Sequence, residues 1–295
     1  NKNQKIFGIQ GCDSIVSKNS LWNLLQNKYG RVGASKLMPE TYVLSDPDDM
    51  FIFQQNYRPD KLFLLKKNIQ RKKGILMTHD YNIIMNAKNK NYKVVQEYVD
   101  DLYLINNRKI NLRLYILITC HRGKINGYLH KQGKCIYTNK DFNLSDLSNN
   151  NSEIDPEEHL TSLNLDNAIY KNNPESLSDL RKHMGKSNFN TLITRINYIF
   201  KCFIKASSNS ICKSNKLNNN LTFQLFGADI IFTNNFHPYL LELNKGPQMK
   251  YKSPKDRQMK DKVTYDIFNL VKIIKKPMNS KSYPSSYYQN EFYKI

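Results

Sequence analysis

Cysteine is scarce in this chain. Cys12, Cys120, Cys135, Cys202 and Cys212 are odd in number and form no C-x-x-C pair, which argues against a disulfide framework or a zinc site and favours a reducing compartment. No apolar run reaches the roughly 18 residues of a membrane span, and the opening NKNQKIFGIQGCDS does not read as a signal peptide. The expected setting is therefore cytoplasmic, with no membrane partner. Internal repeats are missing, as are the RNP, helix-turn-helix and zinc-finger patterns of nucleic-acid readers. The first residue is Asn rather than Met, which reads as the start of a fragment or processed product that lacks part of an N-terminal lobe. Acidic residues are also few, 25 against 45 Lys and Arg, giving a formal charge of +20. Such a charge concentrates any polyanion (nucleic acid, membrane surface, ATP or an acidic peptide) without choosing among them. What is present is globular composition: 295 residues, 40% hydrophobic and 12% aromatic, enough for a sizeable core.

Local patterns give the elements. Ser20–Tyr29 sets Leu21, Leu24 and Leu25 behind a capping serine and predicts a short helix. Met38–Leu44 reads as extended, and the turn SDPDD leads into a helix around Met50–Tyr57. Leu62–Leu65 and Gly74–Met77 flank a basic loop as a hairpin does, and Tyr92–Tyr98 is a further strand. Along Lys109–Ile118, Lys109, Asn111 and Arg113 face one way and Ile110, Leu112 and Leu114 the other, before a uniformly apolar second half that predicts burial on both faces. Lys124–Tyr137 reads as a hairpin turning at Lys131–Gly133, and Asp141–Glu158 as a mobile loop. Asn190–Lys205 and Asp261–Lys275 read as helices, the second with a stripe of Val263, Ile267, Leu270, Val271 and Ile274. Ser207–Asn220 is a low-complexity insertion, and the tail after Pro277 an extended or disordered arm. Short strands with helices in runs point to an α+β fold.

The stretch Phe223–Pro247 carries the most chemistry. Phe223–Phe232 and Tyr239–Asn244 read as strands joined by the polar turn Thr233–Pro238. A symmetric four-residue loop at Asn234–His237 sets Asp229 across from Glu242, with Asn244 on the same face. Carboxylates so placed repel unless a proton or cation lies between them, and oxygen donors of this kind suit Mg²⁺. The same pattern fits a hairpin with one solvated polar face, and spacing alone leaves both readings open.

Phe223-Gln-Leu-Phe-Gly-Ala-Asp229 and Glu242-Leu-Asn244 resemble the "FxLFGxD" and "ExN" strands of the tubulin–tyrosine ligase-like family of ATP-grasp ligases, with Pro247 matching its "NxxP" ending. The resemblance makes Asp229, Glu242 and Asn244 magnesium ligands on ATP. It extends to Phe63–Met77, similar to the family's strand–loop–strand over the phosphates, with Lys66, Lys73 and Gly74 at the nucleotide, although Arg71, Lys72 and Lys73 replace most of the loop's glycines. Read without the family, this is a solvated basic hairpin tip. Val94–Tyr98 resembles the "VVQKY" hinge, which assigns Gln96, Glu97, Tyr98 and Val99 to adenine. Lys109, Asn111 and Arg113 match "KFDLR", with Asn in place of Asp, so that Lys109 and Asn111 lie near the nucleoside and Arg113 near the transferred phosphate. His159 and Thr161 match the phosphate-proximal "HLTN" turn, and Met38–Tyr42 the "P-x-T" connector. A family Arg on the acceptor side falls near Ile136, where no Arg stands; Arg122, Lys131 and Lys134 are the candidates to replace it.

The resemblance covers about residues 18–275 and implies an ATP-grasp-like α+β fold with the nucleotide between two lobes. The expected organisation is a partial N-terminal lobe and connector at 1–60, a central lobe at 61–100, a C-terminal lobe at 101–276 with insertions at 141–158 and 207–220, and a tail at 277–295. The implied activity is an ATP- and Mg-dependent ligase joining a free amino acid to an acidic protein tail, tubulin foremost, at the cytoskeleton. Arg113 and Glu242 are then the catalytic residues. The alternative is a nucleotide- or microtubule-binding pseudo-ligase without turnover; nucleic acid is disfavoured.

Overall fold

The computed structural model describes residues 3–69, 74–147, 154–161, 165–213, 217, 219–274 and 289–295. Its first part runs β1 (Lys5–Phe7), α1 (Lys18–Ser35), β2 (Thr41–Val43), α2 (Pro47–Asn56), β3 (Phe63–Lys66), β4 (Ile75–Thr78), α3 (Tyr81–Met85) and β5 (Val94–Glu97). There follow β6 (Leu104–Ile105), β7 (Arg108–His121), β8 (Lys124–Tyr137), α4 (Pro156–His159), α5 (Leu177–Met184) and α6 (Lys186–Ser207). The chain closes with β9 (Leu221–Phe232), β10 (Pro238–Lys245), α7 (Pro254–Leu270) and β11 (Phe292–Lys294).

Two sheets with flanking helices make an α+β fold. The smaller has four strands in the order β2-β5-β3-β4; the larger has seven, ordered β1-β9-β7-β8-β11, with β10 on β9 and β6 on β7. β7 is the spine of the larger sheet. Its even-numbered Leu112, Leu114, Ile116 and Ile118 pack into the main core with α1, α5 and α6. On the other face Tyr115 and Leu117 meet Met259, Val263 and Ile267 of α7. Burial on both faces accounts for the uniformly apolar second half of the strand. At the start of β7 that second face is polar, and there the small sheet approaches through a cluster of Leu62, Leu64, Tyr98, Leu102 and Ile231. At this junction of the two sheets apolar packing gives way to the polar side chains of Lys109, Asn111 and Arg113.

Helix starts follow local chemistry. Asp46 caps α2 by accepting from the Asp48 and Asp49 N–H groups, with Pro47 in the first turn. α1 is longer than Ser20–Tyr29 because Ser17, not Ser20, caps it; Gly30, at φ 70°, breaks its regularity near the end. α7 begins at Pro254 behind a Ser253 cap, seven residues before its apolar pattern becomes regular, and ends at Leu270.

Four expectations are corrected. β8 is one strand across Lys124–Tyr137, and the hairpin is β7–β8, turning at Arg122 and Gly123. The glycine that suggested a turn, Gly133, instead admits Leu114 and Leu177, whose atoms a Cβ there would meet at 2.9 and 3.1 Å. Cys120 is bonded to Cys212, Cα–Cα 5.4 Å, and ties the segment after α6 to the end of β7, so the odd cysteine count conceals one bridge. Within 141–158, Pro156–His159 is a helical turn and Asp146 is buried, while 148–153 lie outside the described residues. The tail ends in β11, paired with β8, and 275–288 lie outside the described residues.

Candidate active site

The β9–β10 hairpin sets Asp229 directly across from Glu242, by a route the symmetric loop does not anticipate. Phe232 pairs with Pro238, so the loop is Thr233–His237, closed by the Thr233 N–H on the His237 carbonyl. That register alone would set Asp229 against Leu241. A bulge at Leu241, between the Leu240 and Glu242 pairs, shifts the ladder by one and brings Glu242 to Asp229.

The row continues across the sheet. Arg113 pairs with Asp229 in register, and Lys134 with Arg113, so Lys134, Arg113, Asp229 and Glu242 follow one another on β8, β7, β9 and β10. The guanidinium holds both carboxylate oxygens of Asp229, Nη2 to Oδ2 at 2.9 Å and Nε to Oδ1. Beside the row, Gly227 pairs with Tyr115 and Asn244. A Cβ at Gly227 would lie 2.8 Å from Pro247 Cβ and 3.1 Å from Arg113 Cδ, so its absence lets both pass. Asn244 Nδ2 donates to Glu242 Oε1 at 2.9 Å, and Lys18 Nζ, at the start of α1, stands 3.8 Å from Glu242 Oε2.

These contacts set the charge states. Burial pushes the Asp229 carboxyl up to about 6 against the pull of Arg113, with Glu242 adding to the rise. Burial acts upward on Glu242 as well, but Lys18, Asn244, Lys66 and Arg113 outweigh it and hold that carboxyl below its ordinary range. Arg113 stays charged: burial opposes its proton, and Asp229 more than restores it.

On the smaller sheet, Lys66 at the end of β3 is buried with its amine on Gln96 Oε1, and Gln96 Nε2 donates to Thr41 Oγ1 at 2.8 Å. Burial lowers Lys66 to about 8, with Glu242 opposing and Lys18 assisting. Lys109 is buried too; burial and then Lys66 lower it to about 7. Its amine donates to the Tyr98 hydroxyl at 3.1 Å, which lies 3.2 Å from His159 Nδ1, and His159 Nε2 contacts Asp146 Oδ2 at 3.1 Å. A chain of hydrogen bonds thus joins Asp146, His159, Tyr98 and Lys109. Burial lowers His159, only partly opposed by Asp146. Asn111 is buried, and its Oδ1 has no hydrogen-bond partner.

The remaining expected residues divide. Glu97 turns its side chain to the opposite face of the small sheet, where Tyr42 OH donates to it at 3.3 Å. The Glu97 and Tyr98 N–H groups are engaged by the Glu40 and Leu62 carbonyls. Val99 is half-buried against the inter-sheet cluster, and Thr161 is half-buried two residues past His159. Gly74 closes the β3–β4 loop, its carbonyl accepting from Lys67 N–H at 2.8 Å, and Lys73 lies outside the described residues. Ile136 is buried opposite Asn111. Of the three candidate replacements for the missing Arg, Arg122 sits in the distal turn and Lys131 within the irregular stretch of β8, and only Lys134 stands in the row. Its amine lies 3.4 Å from Asp256 and 3.6 Å from Glu175.

Lys18, Thr41 and Asp146 were not legible. Lys18 opens α1 with no motif around it, and Thr41 and Asp146 touch their partners only through tertiary packing. The donor set fits a hard cation: two carboxylates and an amide offer only oxygen, and both carboxylates already draw positive groups. The orphaned Asn111 oxygen and the buried amines of Lys66 and Lys109 fit a polyhydroxylated, phosphorylated ligand.

The family described as "Tubulin-tyrosine ligase family" matches residues 1–281. The chain is similar to "Probable tubulin polyglutamylase ttll-9" of Caenorhabditis elegans, 24% identical over 269 residues, which cover 85% of this chain and 62% of that protein. It is similar to "Probable alpha-tubulin polyglutamylase Ttll1" of Tetrahymena thermophila, 24% identical over 79% of this chain and 60% of the relative. "Probable tubulin polyglutamylase TTLL2" of Homo sapiens is 25% identical over 88% of this chain and 45% of its own length. The chain thus spans about three fifths or less of these relatives.

Proposed function

The chain belongs to the tubulin–tyrosine ligase family, and we propose that it is an ATP- and magnesium-dependent ligase that adds glutamate to acidic protein tails, with tubulin the favoured acceptor. Members of the family are ATP-dependent ligases of tubulin with an ATP-grasp fold and use magnesium. The observation that carries the reading is the row Lys134, Arg113, Asp229 and Glu242, two cations followed by two carboxylates on four paired strands. The polyglutamylases among its relatives favour glutamate as the amino acid. A working site at the cytoskeleton, in the cytoplasm, follows from that acceptor.

On this reading residues 61–100 and 101–276 form the two lobes, and each residue has a task. Lys66 and Lys109 bind phosphate and nucleoside, held in place by Gln96 and Tyr98. Asn111 supplies a neutral acceptor for a ribose hydroxyl. Asp229, Glu242 and Asn244 would hold magnesium, which when bound neutralises phosphate charge. Arg113, fixed against Asp229, keeps a preorganised positive charge where negative charge builds on the transferring phosphoryl group. Lys134, next along the row, supplies the acceptor-side cation in place of an Arg at Ile136.

A second reading has its own observation. Asp229 takes the Nε–Nη2 edge of Arg113, which leaves only its Nη1–Nη2 edge for substrate in this state and suits a nucleotide-binding module without turnover. The discriminating experiment incubates the purified chain with ATP, magnesium, acidic tail peptides and each of Glu, Tyr and Gly. Mass spectrometry should show peptides extended by glutamate. ATP binding without extension by any of the three would establish the binding module instead.

A further inference from the structure

We propose a second binding site, for a soluble long-chain carboxylate, on the face of the large sheet opposite the candidate active site. It arises from the break in β8. Leu114 pairs with Gly133 but Ile116 pairs with Leu129, so His130, Lys131 and Gln132 stand against Tyr115 alone and bulge from the ladder. All three of those residues line a cavity of about 710 Å³ between the sheet, α5, α6 and β11. Its body is apolar: Leu114, Leu129 and Leu177 from the core, Phe189 and Ile193 from α6, and Tyr293 from β11, whose hydroxyl donates to Asn197 at 2.8 Å. A volume of this size lies within the roughly 300–1,000 Å³ range of sites that enclose a small molecule. Arg113 projects from the face opposite Leu114, so the sheet itself separates this cavity from the candidate active site.

The lining identifies the head group. Lys131, Arg181, Lys182 and Lys186 contribute to it, all four exposed, and no acidic residue does. Among the described residues none of the four makes a salt bridge, whereas Lys18 and Lys134 at the candidate active site do. The same wall carries the start of α6, a 22-residue helix whose N-cap, Gly185, supplies no side-chain cap. The first N–H groups of that helix therefore have no side-chain acceptor at the N-cap, and its first residue, Lys186, lines the cavity. Four unpaired cations and an open helix start beside an apolar cavity complement a molecule with a single anionic end and a long apolar body. A fully polar anion would leave the cavity wall unused, and an uncharged chain would leave the cations unused.

Dodecanoate, titrated below its micelle concentration into the full chain by isothermal calorimetry, tests this. One saturating site is expected. Affinity should fall at least tenfold for dodecyltrimethylammonium, which carries the same tail with the opposite charge, and at least tenfold in the Arg181→Glu/Lys186→Glu double variant. Ile193→Trp, which fills the cavity, should abolish binding while ATP binding stays unchanged. Because Arg181 and Lys186 are exposed, the double variant decides the matter if Ile193→Trp does not fold. Non-saturating uptake, equal binding of the cationic analogue, or unchanged affinity in the double variant overturns the proposal. So does a wild-type dimer in sedimentation that Ile193→Trp dissolves, since the cavity would then belong to a second copy.

Discussion

Arg113 and Asp229 stand across from each other on β7 and β9 and are joined through both oxygens of the carboxylate. Glu242, the next residue in the row, has Lys18 at 3.8 Å and accepts from the amide of Asn244. The hairpin's paired carboxylates are thus stabilised unequally: the deeper one is gripped through both oxygens by a guanidinium, the outer one by a more distant amine and an amide. A cation joining the site needs to displace little to reach Glu242.

Removing Arg113 is expected to be costly for both fold and function. Arg113→Ala leaves Asp229 buried beside Glu242 without its counter-charge, and breaking a pair of this kind costs about 3–5 kcal/mol. Chemical denaturation should show that loss, and Arg113→Lys should recover part of the stability but little activity, since a lysine cannot grip both oxygens.

Gly227→Ala isolates position from charge. The new methyl would press on Pro247 and on the stem of Arg113, and overpacking costs about 1–3 kcal/mol. A folded variant with displaced Arg113 should keep ATP binding and lose turnover; unchanged kcat would show that the placement of Arg113 is not critical.

Proton uptake should accompany ATP binding. Burial lowers Lys109 to about 7 and Lys66 to about 8, so near pH 8 a fraction of both is neutral. Phosphate favours the charged amines, so binding draws protons from solution and weakens as pH rises above these values. Calorimetry in two buffers of different ionisation enthalpy measures the uptake, and Lys109→Met should remove part of it. The sign for stability is opposite. From about 7 up to the ordinary 10.5 the unfolded chain holds the proton that folded Lys109 lacks, so this residue makes the ligand-free fold more stable as pH rises through that window.

Magnesium should raise the melting temperature of the nucleotide-loaded wild type, as any ligand of the native state does. The gain should shrink as pH falls through about 6, where Asp229 takes up a proton, and should largely vanish in Asn244→Leu. An equal gain in that variant would remove Asn244 from the metal site.

The alternation along Lys109–Arg113 and the pairing of Asp229 with Glu242 were legible because strand periodicity fixes which residues share a face. The route to that pairing was not: a longer loop and the Leu241 bulge offset each other, and neither leaves a local signal. Gly133 misled because a glycine needed for close packing and one needed for a turn look alike in sequence. Lys18 and the Asp146–His159–Tyr98–Lys109 hydrogen-bond chain depend on elements brought together only by tertiary packing, as does the Cys120–Cys212 bridge.

The most direct measurement compares wild type with Glu242→Gln for ATP-dependent extension of an acidic tail peptide by glutamate. The substitution keeps the shape of the side chain and removes one charge from the row. Wild type should extend the peptide, and the folded variant should lose about 10²–10³-fold in rate, the order expected for an electrostatic stabiliser of the transition state. Equal rates in the two proteins, or no extension by wild type while ATP binds normally, would contradict phosphoryl transfer at this hairpin.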